Sequence, residues 1–155
     1  MAVTNDSGDG KCLHANDNNI NVVMEPCDGS LNQQFHFPDG FWDFRGGPIG
    51  TEWDYLLCMN WNLDTNEVSM EFCTAQDNQE FFLHRITKQI KSMANGSSCL
   101  EYHEGLSGSV SPKIVMAPCD SDRSSQKWSF DGATKQVQSD LDGHCLDINE
   151  SSRTS

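Results

Sequence analysis

Seven cysteines in 155 residues are the side chains with most chemistry to offer, and two chemistries compete for them. Thiolates at metal-ligand spacing would hold zinc, whereas thiols at matched distances in an oxidising compartment would form disulfides. No Cys-x-x-Cys occurs and the five histidines are scattered, so no metal is expected. Six of the cysteines allow fifteen connectivities, of which the local one is expected: Cys12 with Cys27, Cys58 with Cys73, and Cys99 with Cys119, at separations of 15, 15 and 20 residues. Loops of that length contribute about 3 kcal/mol each on chain-entropy grounds. Cys145 is left over, either as a boundary artefact or as a thiol for a disulfide to a partner chain.

Carboxylates are the second chemical resource. The chain carries 23 acidic and 10 basic residues, a net charge of −13. Acid/base catalysis needs two carboxyl groups in a defined context, and none of these recurs in one. They sit in turn-like stretches, as solvated groups do. No Gly-x-Ser-x-Gly, phosphate loop or zinc helix appears, so neither an enzyme nor a cofactor is expected. No basic cluster exists to oppose the acidic field, so nucleic acid is not an expected partner. No apolar run approaches the ~18 residues of a membrane span, and membrane insertion is not expected. Met1 runs into the polar Asn5-Asp6-Ser7-Gly8-Asp9, so any secretory leader lies outside these residues.

The elements that must position these groups follow from an internal repeat. Cys27, Cys73 and Cys119 recur every 46 residues, and Gln33, Gln79 and Gln126 recur at 46 and 47. Each copy has a Cys-Leu or Cys-Met strand, then a Val/Ile-x-Met strand (Val22–Met24, Val68–Met70, Ile114–Met116), then a Gln-x-aromatic strand. A fourth strand is expected over 41–44, 86–90 and 135–139. Turn residues such as Asp28-Gly29-Ser30, Asn95-Gly96-Ser97 and Asp131-Gly132 separate them, and no segment sustains a helical period. One four-stranded unit cannot bury its apolar face. Three around a shared axis can, with Phe35, Phe81 and Trp128 as equivalent core aromatics. The expected fold is all-β: a β-trefoil of about 12 short strands with pseudo-threefold symmetry and one local disulfide per repeat. Repeats are placed at about 3–46, 47–92 and 93–139, making 1–139 the trefoil.

Residues 140–155 read as the start of a fourth repeat or a tail. Gly143-His144-Cys145-Leu146-Asp147 resembles Gly10-Lys11-Cys12-Leu13-His14. The chain is therefore cut from a longer tandem array or closes its ring with this C-terminal segment. Sequons at Asn5, Asn95 and Asn149 give weak support for a secreted glycoprotein.

The triplicated Cys-Leu, second-Cys and Gln-x-aromatic elements resemble the ricin-type β-trefoil lectins over residues 3 to 139. That resemblance implies a sugar-binding module with up to one shallow pocket per repeat. In such pockets the Asp of Cys-x-Asp and the amides around Gln-x-Trp bind hydroxyls, and an aromatic two residues before the second cysteine stacks on the ring. Carried over, the Asp position holds His14, Asn60 and Glu101, with an Asp only at Asp147. The stacking position holds Glu25, Glu71 and Ala117. The amide positions hold Asn32 and Gln33, Asn78 and Gln79, and Ser125 and Gln126. The expected carbohydrate-binding residues are Glu101, Tyr102, Gln126, Asn60, Asn78, Gln79, Asn32 and Gln33, with the third repeat least altered and Tyr102 as its stacking partner. Gln33, Gln79 and Gln126 equally suit a backbone-bonding role inside the fold. Trp42, Trp53 and Trp61 suit the core, and any exposed one could stack on sugar.

The expected function is binding of a neutral glycan or glycoprotein by an extracellular lectin module. Useful avidity would come from several sites or tandem domains. The competing function is a trefoil interaction or structural module whose sugar sites have been lost.

Overall fold

The computed structural model describes residues 20–103 and 113–148, and within them only strands and 3-10 turns carry regular structure. The strands are β1 (Ile20–Glu25), β2 (Phe35–His36), β3 (Gly47–Pro48), β4 (Gly50–Thr51), β5 (Leu57–Trp61), β6 (Val68–Phe72) and β7 (Glu80–His84). They continue with β8 (Gln89–Ser92), β9 (Ser98–His103), β10 (Lys113–Pro118), β11 (Trp128–Asp131), β12 (Gln136–Ser139) and β13 (Cys145–Ile148). One sheet runs β11-β12-β13-β1-β6-β5-β4-β2 and the other β10-β9-β8-β7-β3. All pairings are antiparallel, as expected of short strands joined by turns.

Three pairings share one register. Asn60 of β5 lies opposite Ser69 of β6, Glu101 of β9 opposite Val115 of β10, and Asp147 of β13 opposite Val23 of β1. The β13–β1 pair is thus the counterpart of β5–β6 and β9–β10. The first repeat takes its opening strand from the other end of the chain. This corrects the domain boundary at 139: Cys145–Ile148 belongs to the trefoil and closes it, so of the two readings of this segment the fold takes ring closure.

The disulfides follow from that closure. Cys58–Cys73 and Cys99–Cys119 join neighbouring strands as expected. Cys27 pairs with Cys145, 118 residues away, and not with Cys12. Cys145 is therefore neither spare nor open to a partner chain. Cys12 and His14 lie outside the described residues, as do the sequons at Asn5 and Asn149. The sequon at Asn95 sits in an exposed turn between β8 and β9.

Phe35, Phe81 and Trp128 all lie fully buried in one core with Leu57, Met59, Met70, Ile90, Leu100 and Ile114. They also carry the stitches between repeats. Trp128 donates its backbone N–H to the carbonyl of Lys88 at 3.0 Å, and Phe35 to that of Lys135 at 2.9 Å. Lys88 and Lys135 hold equivalent turn positions, Thr87-Lys88-Gln89 and Thr134-Lys135-Gln136, both with left-handed backbone (φ 63° and 62°). That conformation, costly for a side-chain-bearing residue, aims each carbonyl at the next repeat.

The fourth strand of the first repeat is not at 41–44. Asp39–Trp42 forms a 3-10 turn behind Pro38, and the strand role passes to β4, which pairs Thr51 with Phe35 and Gly50 with Cys58 as β8 and β12 pair in the other repeats. Gly40 is packed so tightly against the backbone of Gly46 that any side chain there would clash, which favours the compact turn. Phe37, Phe41, Trp42 and Phe130 stack edge-on around it.

One polar stitch gives a pH prediction. Asp140 accepts from Lys88 Nζ at 2.6 Å and from Ser129 Oγ at 2.7 Å, tying two repeats together. Burial pushes its carboxyl up, but the Lys88 and Ser129 bonds outweigh that and hold it below the ordinary value of 3.8. Its contribution is complete above that value and is lost as pH falls through the lower folded-state value. Asp140→Asn should cost at most about 1 kcal/mol at neutral pH, since the pair is part-exposed. Urea midpoints of the variant and the native chain should converge in acid.

Candidate functional site

A buried glutamine organises each repeat. The 3-10 turns Leu31–Gln33, Asp77–Gln79 and Ser124–Gln126 end on Gln33, Gln79 and Gln126, and none of the three is exposed. Gln33 Nε2 donates to the carbonyl of Pro26 at 2.9 Å, Gln79 Nε2 to that of Phe72 at 3.0 Å, and Gln126 Nε2 to that of Pro118 at 2.9 Å. The three Oε1 atoms accept from the backbone N–H groups of Asp28, Thr74 and Asp120, each at 2.8 Å. Gln136 and Gln89 add side-chain donors to Gln33 and Gln126, at 2.8 and 2.9 Å. A carboxamide whose donor and acceptor are both committed to the fold is a strut more than a ligand contact. The three glutamines therefore act by holding the residue beside them.

That residue is the one at the Asp position of the opening strand. In the first repeat it is Asp147, not His14: Gln33 Nε2 donates to Asp147 Oδ2 at 3.0 Å. Asn32 Nδ2 adds a bond to the carbonyl of Ile148 at 3.1 Å. The Asp–Asn–Gln set, dispersed over both ends of the sequence, is thus assembled at the β13–β1 seam. In sequence Asp147 stands outside the three complete repeats, and the Cys145-Leu146-Asp147 triplet is the signal that marks it.

In the second repeat Asn60 holds the position. Its Oδ1 accepts from Gln79 Nε2 and from Asn78 Nδ2, both at 3.1 Å, and Asn78 also donates to the carbonyl of Trp61 at 3.0 Å. Asn60 Nδ2 donates to Glu71 Oε2 at 3.2 Å. These groups line a cavity of about 430 Å³, walled by Trp61, Leu63 and Phe72. Leu63 and Phe72 are solvent-exposed. A polar floor of amides beneath apolar flanks suits a sugar, whose hydroxyls want donors and acceptors and whose C–H face wants carbon.

The third repeat departs from expectation. Glu101 is buried, with Oε1 accepting from Gln126 Nε2 at 2.8 Å and from Arg123 Nη1 at 3.3 Å; Arg123 also reaches Oε2, at 3.4 Å. Both carboxylate oxygens are thereby engaged. Tyr102 is buried, and its hydroxyl donates to Asp142 at 2.9 Å, so it presents no face for stacking. Arg123 covers the repeat that looks least altered in sequence.

None of the three tryptophans Trp42, Trp53 and Trp61 is exposed. Trp42 and Trp53 are half-buried against the core, and Trp61 is buried with its indole N–H on Asn66 Oδ1 at 3.1 Å. Among the described residues no group of three or more His, Cys, Asp or Glu is placed to hold a metal, and no helix is long and apolar enough to cross a membrane.

Three strand pairs in one register, each with a glutamine strut under a polar residue of its opening strand, define a β-trefoil of the lectin type. The family model for the ricin-type beta-trefoil lectin domain matches residues 47–155, and the chain belongs to that family, whose domains are carbohydrate-binding modules. The unmatched residues include β1 and β2, which the structure supplies as the rest of the first repeat. A similar fold occurs in the crystal structure of GalNAc-T7 with UDP, GalNAc and Mn2+. The TM-score is 0.56 at 20% identity, and the alignment covers 74% of this chain and 18% of that one. No curated protein matches the sequence.

Proposed function

We propose that this chain is an extracellular lectin module that binds a neutral glycan through the pocket of its second repeat. The observation that carries the reading is the cavity over Asn60 and Asn78, with amides in its floor and exposed Phe72 at its side. The Asp147–Asn32–Gln33 set at the β13–β1 seam is the second binding position, and Arg123 leaves the third least available. The acidic surface disfavours sulfated and sialylated ligands, which leaves neutral sugars. Three disulfides in so short a chain support secretion, and exposed Asn95 is then open to glycosylation.

A glycan array with the oxidised chain tests this. Neutral glycans should give signal, with dissociation constants in the millimolar-to-micromolar range typical of single shallow sites. Asn78→Ala removes one bond to Asn60 and one to the carbonyl of Trp61, and should weaken binding about tenfold, at a stability cost of about 1 kcal/mol. An array silent for every neutral glycan would sink the reading and favour a protein-interaction module.

A further inference from the structure

Resting on that reading, the geometry points to Glu71 as the specificity-determining acceptor of the second pocket, supplying from β6 the carboxylate that the other two repeats place on their opening strands. In those repeats the strut glutamine donates to a carboxylate, Asp147 or Glu101. In the second it donates to an amide, and an amide has two ends. Asn60 spends its oxygen inward on Gln79 and Asn78, which turns its Nδ2 toward Glu71. Ser69 Oγ donates to the same Glu71 oxygen at 3.2 Å.

The register shows why this is special to one repeat. Ser69 lies opposite Asn60, where the other repeats have Val23 opposite Asp147 and Val115 opposite Glu101. The residue two further along is Glu25 in the first repeat, Glu71 in the second and Ala117 in the third. Glu25 has a valine and a carboxylate as the corresponding neighbours, and neither can donate a hydrogen bond. Glu71 has a hydroxyl and an amide, and both do. The three residues Ser69, Asn60 and Glu71 therefore form one unit that holds a carboxylate at the cavity wall. Two donors fix Oε2, and Oε1 accepts no hydrogen bond among the described residues. It is free to accept from ligand hydroxyls, a neighbouring pair suiting a carboxylate best. The same charge excludes uronates and sialylated sugars.

The test is an NMR titration of the full oxidised chain with methyl galactoside, methyl glucoside and methyl mannoside, following amides around Asn60, Asn78 and Phe72. Glu71→Gln keeps an oxygen for Asn60 and Ser69 but turns a donor toward the ligand. It should weaken the best of these sugars at least tenfold while the rest of the spectrum and the melting temperature stay in place. Asn60→Asp separates the alternatives. It recreates the carboxylate of the other repeats, but beside Glu71 at hydrogen-bond distance, so affinity should fall about tenfold at neutral pH. If Glu71→Gln binds as the native chain does, or if Asn60→Asp binds more tightly, the inference is overturned and the lectin reading stands. If no sugar moves these amides in the native chain, the pocket reading fails and takes the inference with it.

Discussion

Replacing Cys27 and Cys145 together by alanine should cost about 4 to 5 kcal/mol, against about 3 kcal/mol for removing Cys58 and Cys73. The difference comes from loop length: the first bridge spans 118 residues and the second 15. A native domain is stable by only about 5–15 kcal/mol, so the first variant loses a large fraction of the total. The structural consequence is specific. β13 is held by its pairing with β1 and one pairing with β12, and the disulfide pins its first residue. Without it the strand carrying Asp147 should fray before the rest. Guanidinium unfolding gives the ranking, and hydrogen exchange at 145–148 should show protection lost there first. Equal costs for the two bridges, or unchanged protection in β13, would contradict the closure described.

Gln126→Leu is expected to cost about 3 kcal/mol, although leucine has nearly the same volume and the site is buried. The substitution leaves the carbonyl of Pro118 and the N–H of Asp120 without their partner, and strips Glu101 and Gln89 of one bond each. Unsatisfied buried groups cost about 1–3 kcal/mol apiece, and partial rearrangement limits the sum. Urea unfolding of the variant reads this directly. A loss below 1 kcal/mol would show that the glutamine is not a strut. Recurrence of the residue at every repeat would then need a ligand-binding explanation.

Much of the fold was legible because a three-times-repeated pattern must satisfy the same packing three times. The core aromatics, the second cysteines and the glutamines recur at one period, and each occupies an equivalent place. Ring closure was harder to read. Cys12 lies 15 residues from Cys27, as Cys58 lies from Cys73, and local spacing favours that partner. Cys145, with nearly the same neighbours, answers equally well to the slot beside β1. Local pattern cannot choose between two such claimants; the long-range strand pairing does. Asp147 went unassigned for the same reason.

In the candidate site, Asn60, Asn78 and Gln79 were legible from alignment of the repeats, and the structure brings them together. Glu71 was read only as a missing aromatic, since its role depends on Ser69 across the strand pair, a contact between strands that residue type alone does not reveal. Arg123 was invisible for a similar reason: it stands outside the repeated motif, and only the turn after Cys119 carries it to Glu101. The aromatics at 41–44 look strand-like in sequence, but the turn begun at Pro38 runs on through Trp42, where the tight packing of Gly40 holds it.

Proteolytic mapping of the unreduced chain by mass spectrometry tests ring closure most directly. Peptides bearing Cys27 and Cys145 should be found joined, alongside Cys58 with Cys73 and Cys99 with Cys119, and Cys12 should be absent from all three. A Cys12–Cys27 bridge with Cys145 alkylated as a free thiol would mean that the C-terminal strand does not complete the first repeat.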